Sequence, residues 1–178
     1  ASGITSPALI VTIDTAVPAT PAAPDLTAGT DTGSSSTDNN TGDNTPDFNV
    51  GVVPAGTTPV LYVDGVAVPA TVSVVGGNTI LTPTTPLTDG AHSITTGLVD
   101  TAGNASAPSP ALAVTIDTTA PAAPAAPDLT TDTGSNTTDN NTGDNTPTFA
   151  GTGTAGETIT IKDGTTVLGT AVVATDGT

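Results

Sequence analysis

Residues 111–118 read ALAVTIDT, and residues 8–15 read ALIVTIDT. Within the later copy Leu112, Val114 and Ile116 alternate with Ala113 and Thr115; Leu9, Val11 and Ile13 do the same in the earlier one. A period of two is the signature of a strand with one face buried. The recurrence matters as much as the alternation, because a segment that returns at a fixed spacing marks a repeated structural unit.

The repeat extends outward from there. DTGSSSTDNNTGDNTPDF spans 31–48, and DTGSNTTDNNTGDNTPTF spans 132–149; PAAPDLT at 21–27 returns as AAPDLT at 125–130. The period is about one hundred residues. It divides the chain into residues 1–17, the end of a preceding repeat and its linker; 18–117, a complete repeat; and 118–178, a linker and the first part of the next. This reads as a window from a longer tandem array. The Pro/Ala stretches at 18–24 and 120–127 make stiff connections, since Pro restricts φ and removes a donor.

No segment holds a helical period. Further strands are expected along Phe48–Val50–Val52 and over Val60–Val63, Val66–Val75, Thr79–Thr82, Ser93–Val99, Thr158–Ile161 and Val167–Val173. DG at 64–65 and 163–164 and GGN at 76–78 are hairpin turns. Short, evenly spaced strands in a unit of about one hundred residues point to an all-β chain of tandem immunoglobulin-like antiparallel β-sandwiches. The core is thin: Leu, Ile, Val and Phe make up about a fifth of the 178 residues. Tyr62 is either a core or a surface-stacking residue, with the core favoured.

The charge is lopsided. Seventeen acidic residues face one basic one, Lys162, for a net charge of −16. Nothing here neutralises a phosphate backbone, so nucleic acid is excluded as a partner. No apolar run is long enough to span a bilayer, which excludes membrane insertion of this segment. Cysteine is absent, which removes disulfides and thiolate chemistry. His92 is the only histidine and stands in no acid–Ser constellation; no enzyme is expected. Sixteen of the acids are Asp, set among Gly, Asn, Thr and Ser. Asp makes turns, and it is also a hard oxygen ligand suited to Ca²⁺.

The tract VTIDTTAPAAPAAPDLTTDTGSNTTDNNTGDNTPTF (114–149) resembles the bacterial immunoglobulin-like repeats of giant surface adhesins, both biofilm-associated proteins and the extender regions of type I-secreted, repeats-in-toxin adhesins. So do LTDGAHSIT (87–95) and the turn Asp100-Thr101-Ala102-Gly103-Asn104. The resemblance implies a stiff extracellular rod at the bacterial cell surface, supporting adhesion and biofilm formation, with Ca²⁺ at or near the joints and type I secretion. Its expected partners are neighbouring repeats of the same chain and, through self-association, other adhesin copies. The competing expectation is a repeat that itself binds a glycan, ice or a host surface.

Two metal sites are expected. The first is the cluster Asp31, Asp38 and Asp43, with its copy Asp132, Asp139 and Asp144, whose carboxylates and carbonyls can wrap one cation; the spacing is not that of an EF-hand. The second lies at the joint, where Asp14, Asp100 and Asn104 can share an ion and Asp117 takes the part of Asp14 for the following unit. The structural alternative is that Asp14 and Asp117 end strands and Asn104 supplies a left-handed turn.

Overall fold

The computed structural model describes residues 6–178. Its chain forms two compact units, the first running to Thr119 and the second spanning Ala120–Thr178. All regular structure among the described residues is β.

The first unit holds β1 (Asp25–Leu26), β2 (Asn40–Thr41), β3 (Phe48–Asn49), β4 (Thr57–Val63), β5 (Val66–Val68), β6 (Ala70–Val75), β7 (Asn78–Pro83), β8 (Gly90–Asp100) and β9 (Leu112–Ile116). One sheet has the order β1-β3-β7-β6 and the other β2-β9-β8-β4-β5. All pairs are antiparallel except β2 with β9, which is parallel. The segment from β1 to β3 thus touches both sheets: β1 lies beside β3, and β2 lies beside the last strand. The result is an immunoglobulin-like β-sandwich.

Alternation explains what each strand buries. Leu61 and Val63 of β4, Ile94 of β8 and Val114 and Ile116 of β9 meet Leu26, Phe48 and Leu81 from the opposite sheet in one core. Leu61, Leu81, Ile94 and Phe48 are almost wholly excluded from water. Tyr62 has the wrong parity for that core. It lies over Gly97, where an added Cβ would come within 3.2 Å of its ring. The expectation of a core tyrosine is therefore corrected.

Two strand expectations also change. Val66–Val75 is not one strand: Pro69 has no N–H for a ladder, and the chain breaks there into β5 and β6, which belong to different sheets. The Phe48–Val52 alternation stops early, because Gly51 turns the chain at φ 72°, leaving Val52 exposed. Two of the three expected hairpin turns lie at the expected residues; the third shifts by one, because Asp163 ends β12 opposite Thr166 and the turn is Gly164–Thr165. Asp64 and Gly65 take φ of 53° and 80°, and Gly76 and Gly77 take 59° and 88°. These values match the tight turn whose twist suits a hairpin.

The second unit has two hairpin-like pairs, β10 (Asp128–Leu129) with β11 (Phe149–Ala150) and β12 (Thr158–Asp163) with β13 (Thr166–Val172). Residues 6–17 take no part in a sheet, so Leu9–Ile13 is not a strand despite its pattern. A strand needs a partner for its backbone, and none of the described residues supplies one.

Candidate metal centre

The Asp-rich loop between β1 and β3 is built on hydroxyls. Thr41 is 1% exposed. Its Oγ1 accepts from Thr32 N (3.1 Å) and Asp43 N (3.0 Å) and donates to the Thr30 carbonyl. Thr32 Oγ1 accepts from Gly42 N, and Thr30 Oγ1 from Asp47 N. Asn39 is left-handed at φ 58°, a conformation Asn tolerates. Threonine side chains do here what a ladder does in a sheet.

Asp31 sits beneath this framework, 3% exposed. One carboxylate oxygen, Oδ2, accepts from Asn39 N at 3.2 Å. The other, Oδ1, is buried with no hydrogen-bond partner. Asp38 and Asp43 face elsewhere. Each makes an Asx turn, Asp38 with Asn40 N at 3.0 Å and Asp43 with Thr45 N at 2.9 Å. The loop therefore does not gather its three acids. Among the described residues no group of three or more Asp, Glu, His or Cys side chains converges.

The second copy repeats the construction. Thr142 Oγ1 accepts from Thr133 N and Asp144 N and donates to the Thr131 carbonyl. Asp132 Oδ2 accepts from Asn140 N at 3.1 Å, Asn140 has φ 57°, and Asp132 Oδ1 is again buried and unpartnered. Asp139 turns onto Asn141 N, as Asp38 does onto Asn40.

A buried carboxylate oxygen with no donor is costly, because desolvation is not repaid by a hydrogen bond. Finding it at equivalent positions of two copies makes it a property of the motif. A proton, a buried water or a hard cation such as Ca²⁺ can satisfy such an oxygen.

The joint residues come together differently from the expectation. Asp100 Oδ1 accepts from Ala102 N (2.9 Å) and Asn104 N (2.8 Å). Its Oδ2 accepts from Asn104 Nδ2 (2.9 Å), which also donates to the Asp14 carbonyl oxygen at 3.1 Å. These bonds, led by the Asn104 amide, hold the Asp100 carboxyl below its ordinary range. Asp14 turns its carboxylate onto its own Ala16 N instead. Asp14, Asp100 and Asn104 are thus neighbours, joined through an amide and a carbonyl. The left-handed residue of the turn is Gly103 (φ 91°), not Asn104.

Asp117 has a role in its own unit. Its N–H donates to the Thr41 carbonyl, and its carboxylate accepts from Thr119 N. It lines a polar cup of about 290 Å³ with Thr32, Ser34, Asn40 and Gly42. Asp89 was not singled out from the sequence, although it lies in LTDG. It accepts from Thr118 N and Oγ1 and from Thr119 Oγ1, and so ties the unit's exit to the start of β8. The Thr118 hydroxyl is the leading cause of its lowered pKa. His92 is a structural latch: Nδ1 faces Asp64 Oδ2 and Nε2 faces the Thr88 carbonyl, both at 2.8 Å. Two acceptors favour the imidazolium, and the Asp64 carboxylate raises the His92 pKa first among the causes.

A family model described as a bacterial Ig-like domain matches residues 17–118. The chain belongs to that family. No curated protein matches it. Domains of this family are commonly extracellular or surface-associated, and generally structural rather than enzymatic.

Proposed function

Taking the chain as a bacterial Ig-like protein, we propose that it is a structural extender segment of an extracellular adhesin, rigidified by Ca²⁺ and supporting cell adhesion and biofilm formation after type I secretion. The observation that carries the calcium part is the buried, donorless Oδ1 of Asp31 and its recurrence at Asp132. A cation bound only by the folded loop stabilises the fold by mass action, by about 2.7 kcal/mol at a hundredfold excess over its dissociation constant. With one carboxylate at the centre, the affinity suits the weak, extracellular range of about 10⁻⁴–10⁻³ M. Asp14, Asp100 and Asn104 then act as a hydrogen-bonded clasp at which a second ion can join, and Asp117 lies beside the loop rather than apart from it.

The rod reading also draws support from the clasp, since a stiff joint needs contacts that hold its entering segment. The alternative, a glycan-binding repeat, has less to work with. Tyr62 is the unit's only Tyr or Trp and is covered in part by the β4–β8 sheet. Thermal melting and small-angle scattering in calcium and in chelator test the proposal. Calcium is expected to raise the melting temperature and fix the dimensions; unchanged melting and scattering would sink it.

A further inference from the structure

We propose that the outer strand β6 is a self-pairing edge, at which a second copy of this chain joins side by side in an antiparallel, two-fold arrangement. The strand and both its neighbours in sequence lie inside the repeat matched at 17–118. β6 ends its sheet, in the order β1-β3-β7-β6, and among the described residues it pairs with β7 alone.

Which of its backbone groups are free follows from the ladder. Thr84 N donates to the Pro69 carbonyl at 3.0 Å, while Thr79 of β7 turns the other way, its N–H onto the Gly51 carbonyl and its carbonyl onto Val50 N. Bonded and non-bonded residues alternate in an antiparallel pair. Thr71, Ser73 and Val75 therefore bond to their register partners Thr82, Ile80 and Asn78. Ala70, Val72 and Val74 present their N–H and C=O groups at the open edge, and no described residue bonds to them.

The side chains at that edge are apolar. Val72 and Val74 stand opposite Leu81 and Thr79, which are buried, yet they are 54% and 69% exposed themselves. Proteins ordinarily guard an open edge with a charge, a bulge or a proline within the strand. β6 has none of these. Residues 65–88 hold no Asp, Glu, Lys, Arg or His, the longest such run in a chain of net charge −16. Asp47, the acid beside β7, is bound by the Thr82 hydroxyl one strand in.

That distribution names the occupant. Two copies of this chain repel over the surfaces set with Asp, and β6 is where they meet without opposing carboxylates. A charged partner finds no counter-charge there. A second β6 is also complementary to the first, residue by residue. With Val72 on the two-fold axis, the Val72 N–H and C=O groups of the two copies bond each other, and Ala70 of each copy bonds Val74 of the other. Val72 then packs beside Val72 and the larger Val74 over the small Ala70, while Thr71 meets Ser73 on the opposite face. The pairing needs neither calcium nor the rod reading, because every contact in it comes from β6.

The test is the 178-residue chain, followed by sedimentation and hydrogen-exchange NMR over a concentration series. Exchange at Val72 and Val74 should slow by more than about tenfold as the copies pair, while Thr71 and Ser73, already bonded to β7, change little. Raising the ionic strength from about 0.01 M to about 0.15 M should strengthen the pairing by about tenfold, because it shortens the reach of the repulsion from about 30 Å to about 8 Å. Val72→Asp and Val72→Lys should each abolish the protection at Val74, since like charges then face each other across the axis, and their equimolar mixture should restore it. Neither should alter the melting of the first unit, because Val72 lies outside its core. Protection at Val74 that ignores concentration overturns the proposal, as does protection that survives in either charged variant alone or a mixture no better protected than its components. So does a Val74 amide protected only by an added Val/Thr-rich peptide of different sequence, which would give the edge to another partner.

Discussion

Loops 27–47 and 130–148 share their threonine and Asx-turn hydrogen bonds, their left-handed Asn and their orphaned Asp oxygen, yet the phenylalanine that follows each has a different fate. Phe48 is 0% exposed and Phe149 is 39% exposed. In the first unit, β7, β8 and β9 close over Phe48; residues 120–178 cover only the part of the repeat that precedes the positions of those strands. The difference separates two kinds of encoding. The loop conformation is local, held by hydroxyls and Asx turns within about twenty residues. Burial is not local, because it needs strands that lie more than thirty residues further along.

The largest way to break this comparison is at the phenylalanines. Phe48→Ala should cost about 3–5 kcal/mol, the range for emptying a packed aromatic site. Phe149→Ala should cost less than about 1.5 kcal/mol, since much of its ring already meets water. Residue-resolved hydrogen exchange reads each unit separately; equal losses would show that the second unit closes its core in solution.

Next come the threonine hubs. Thr41→Val leaves Thr32 N, Asp43 N and the Thr30 carbonyl without their shared partner, at a cost of about 2–3 kcal/mol. Thr142→Val removes the same bonds in a more exposed loop and should cost about half as much. Denaturant-dependent exchange of the amides at residues 32 and 43, and at 133 and 144, checks the ratio.

Asp31→Asn sharpens the role of the orphan oxygen. In chelator the variant should be as stable as the parent or slightly more so, because an uncompensated buried charge is gone. In calcium it should lose the rise in melting temperature attributable to its unit, and Asp132→Asn should do the same for the other. A calcium response untouched by either change would place the ion elsewhere.

The smallest effect is at His92, which the second unit lacks. Folding raises its pKa above 6.5, so its contribution is complete below that value and fades as pH rises through the folded-state pKa. Asp64, whose pKa is lowered from 3.8 chiefly by the Ser93 N–H, contributes above that value and fades as pH falls through its own folded-state pKa. The latch is therefore strongest between about pH 4 and 6.5. His92→Gln should lower stability in that window by up to about 1 kcal/mol and flatten the decline above it. Thermal melts of the first unit across pH measure it; the second unit's exchange should not respond.

Some of this was legible in advance. The alternation of Leu112, Val114 and Ile116 identifies a half-buried strand, and Asp64-Gly65 and Gly76-Gly77 locate hairpins, because parity and positive φ are local properties. Asp31 stood out from its neighbours only in the fold. Sequence places Asp31, Asp38 and Asp43 on equal terms; burial under Thr41 and Asn39 leaves just one of them short of a donor. Of the two places open to Tyr62 the structure takes the surface one, because it alternates with Leu61 and Val63, which face the core. Asp117 follows the end of β9, and the parallel pairing of β2 with β9 also carries it to the loop of its own unit, which its place in the sequence does not reveal.

What the sequence determined by itself was the repeat and the β class, since each follows from composition or from spacing along the chain. Only the tertiary structure decided which face each strand buries, which aspartate is orphaned, and that the segment 8–14 has the pattern of a strand without being one. A strand is completed by hydrogen bonds from a neighbour, and a core by side chains from distant segments. Neither neighbour nor core can be read from the residues that await them.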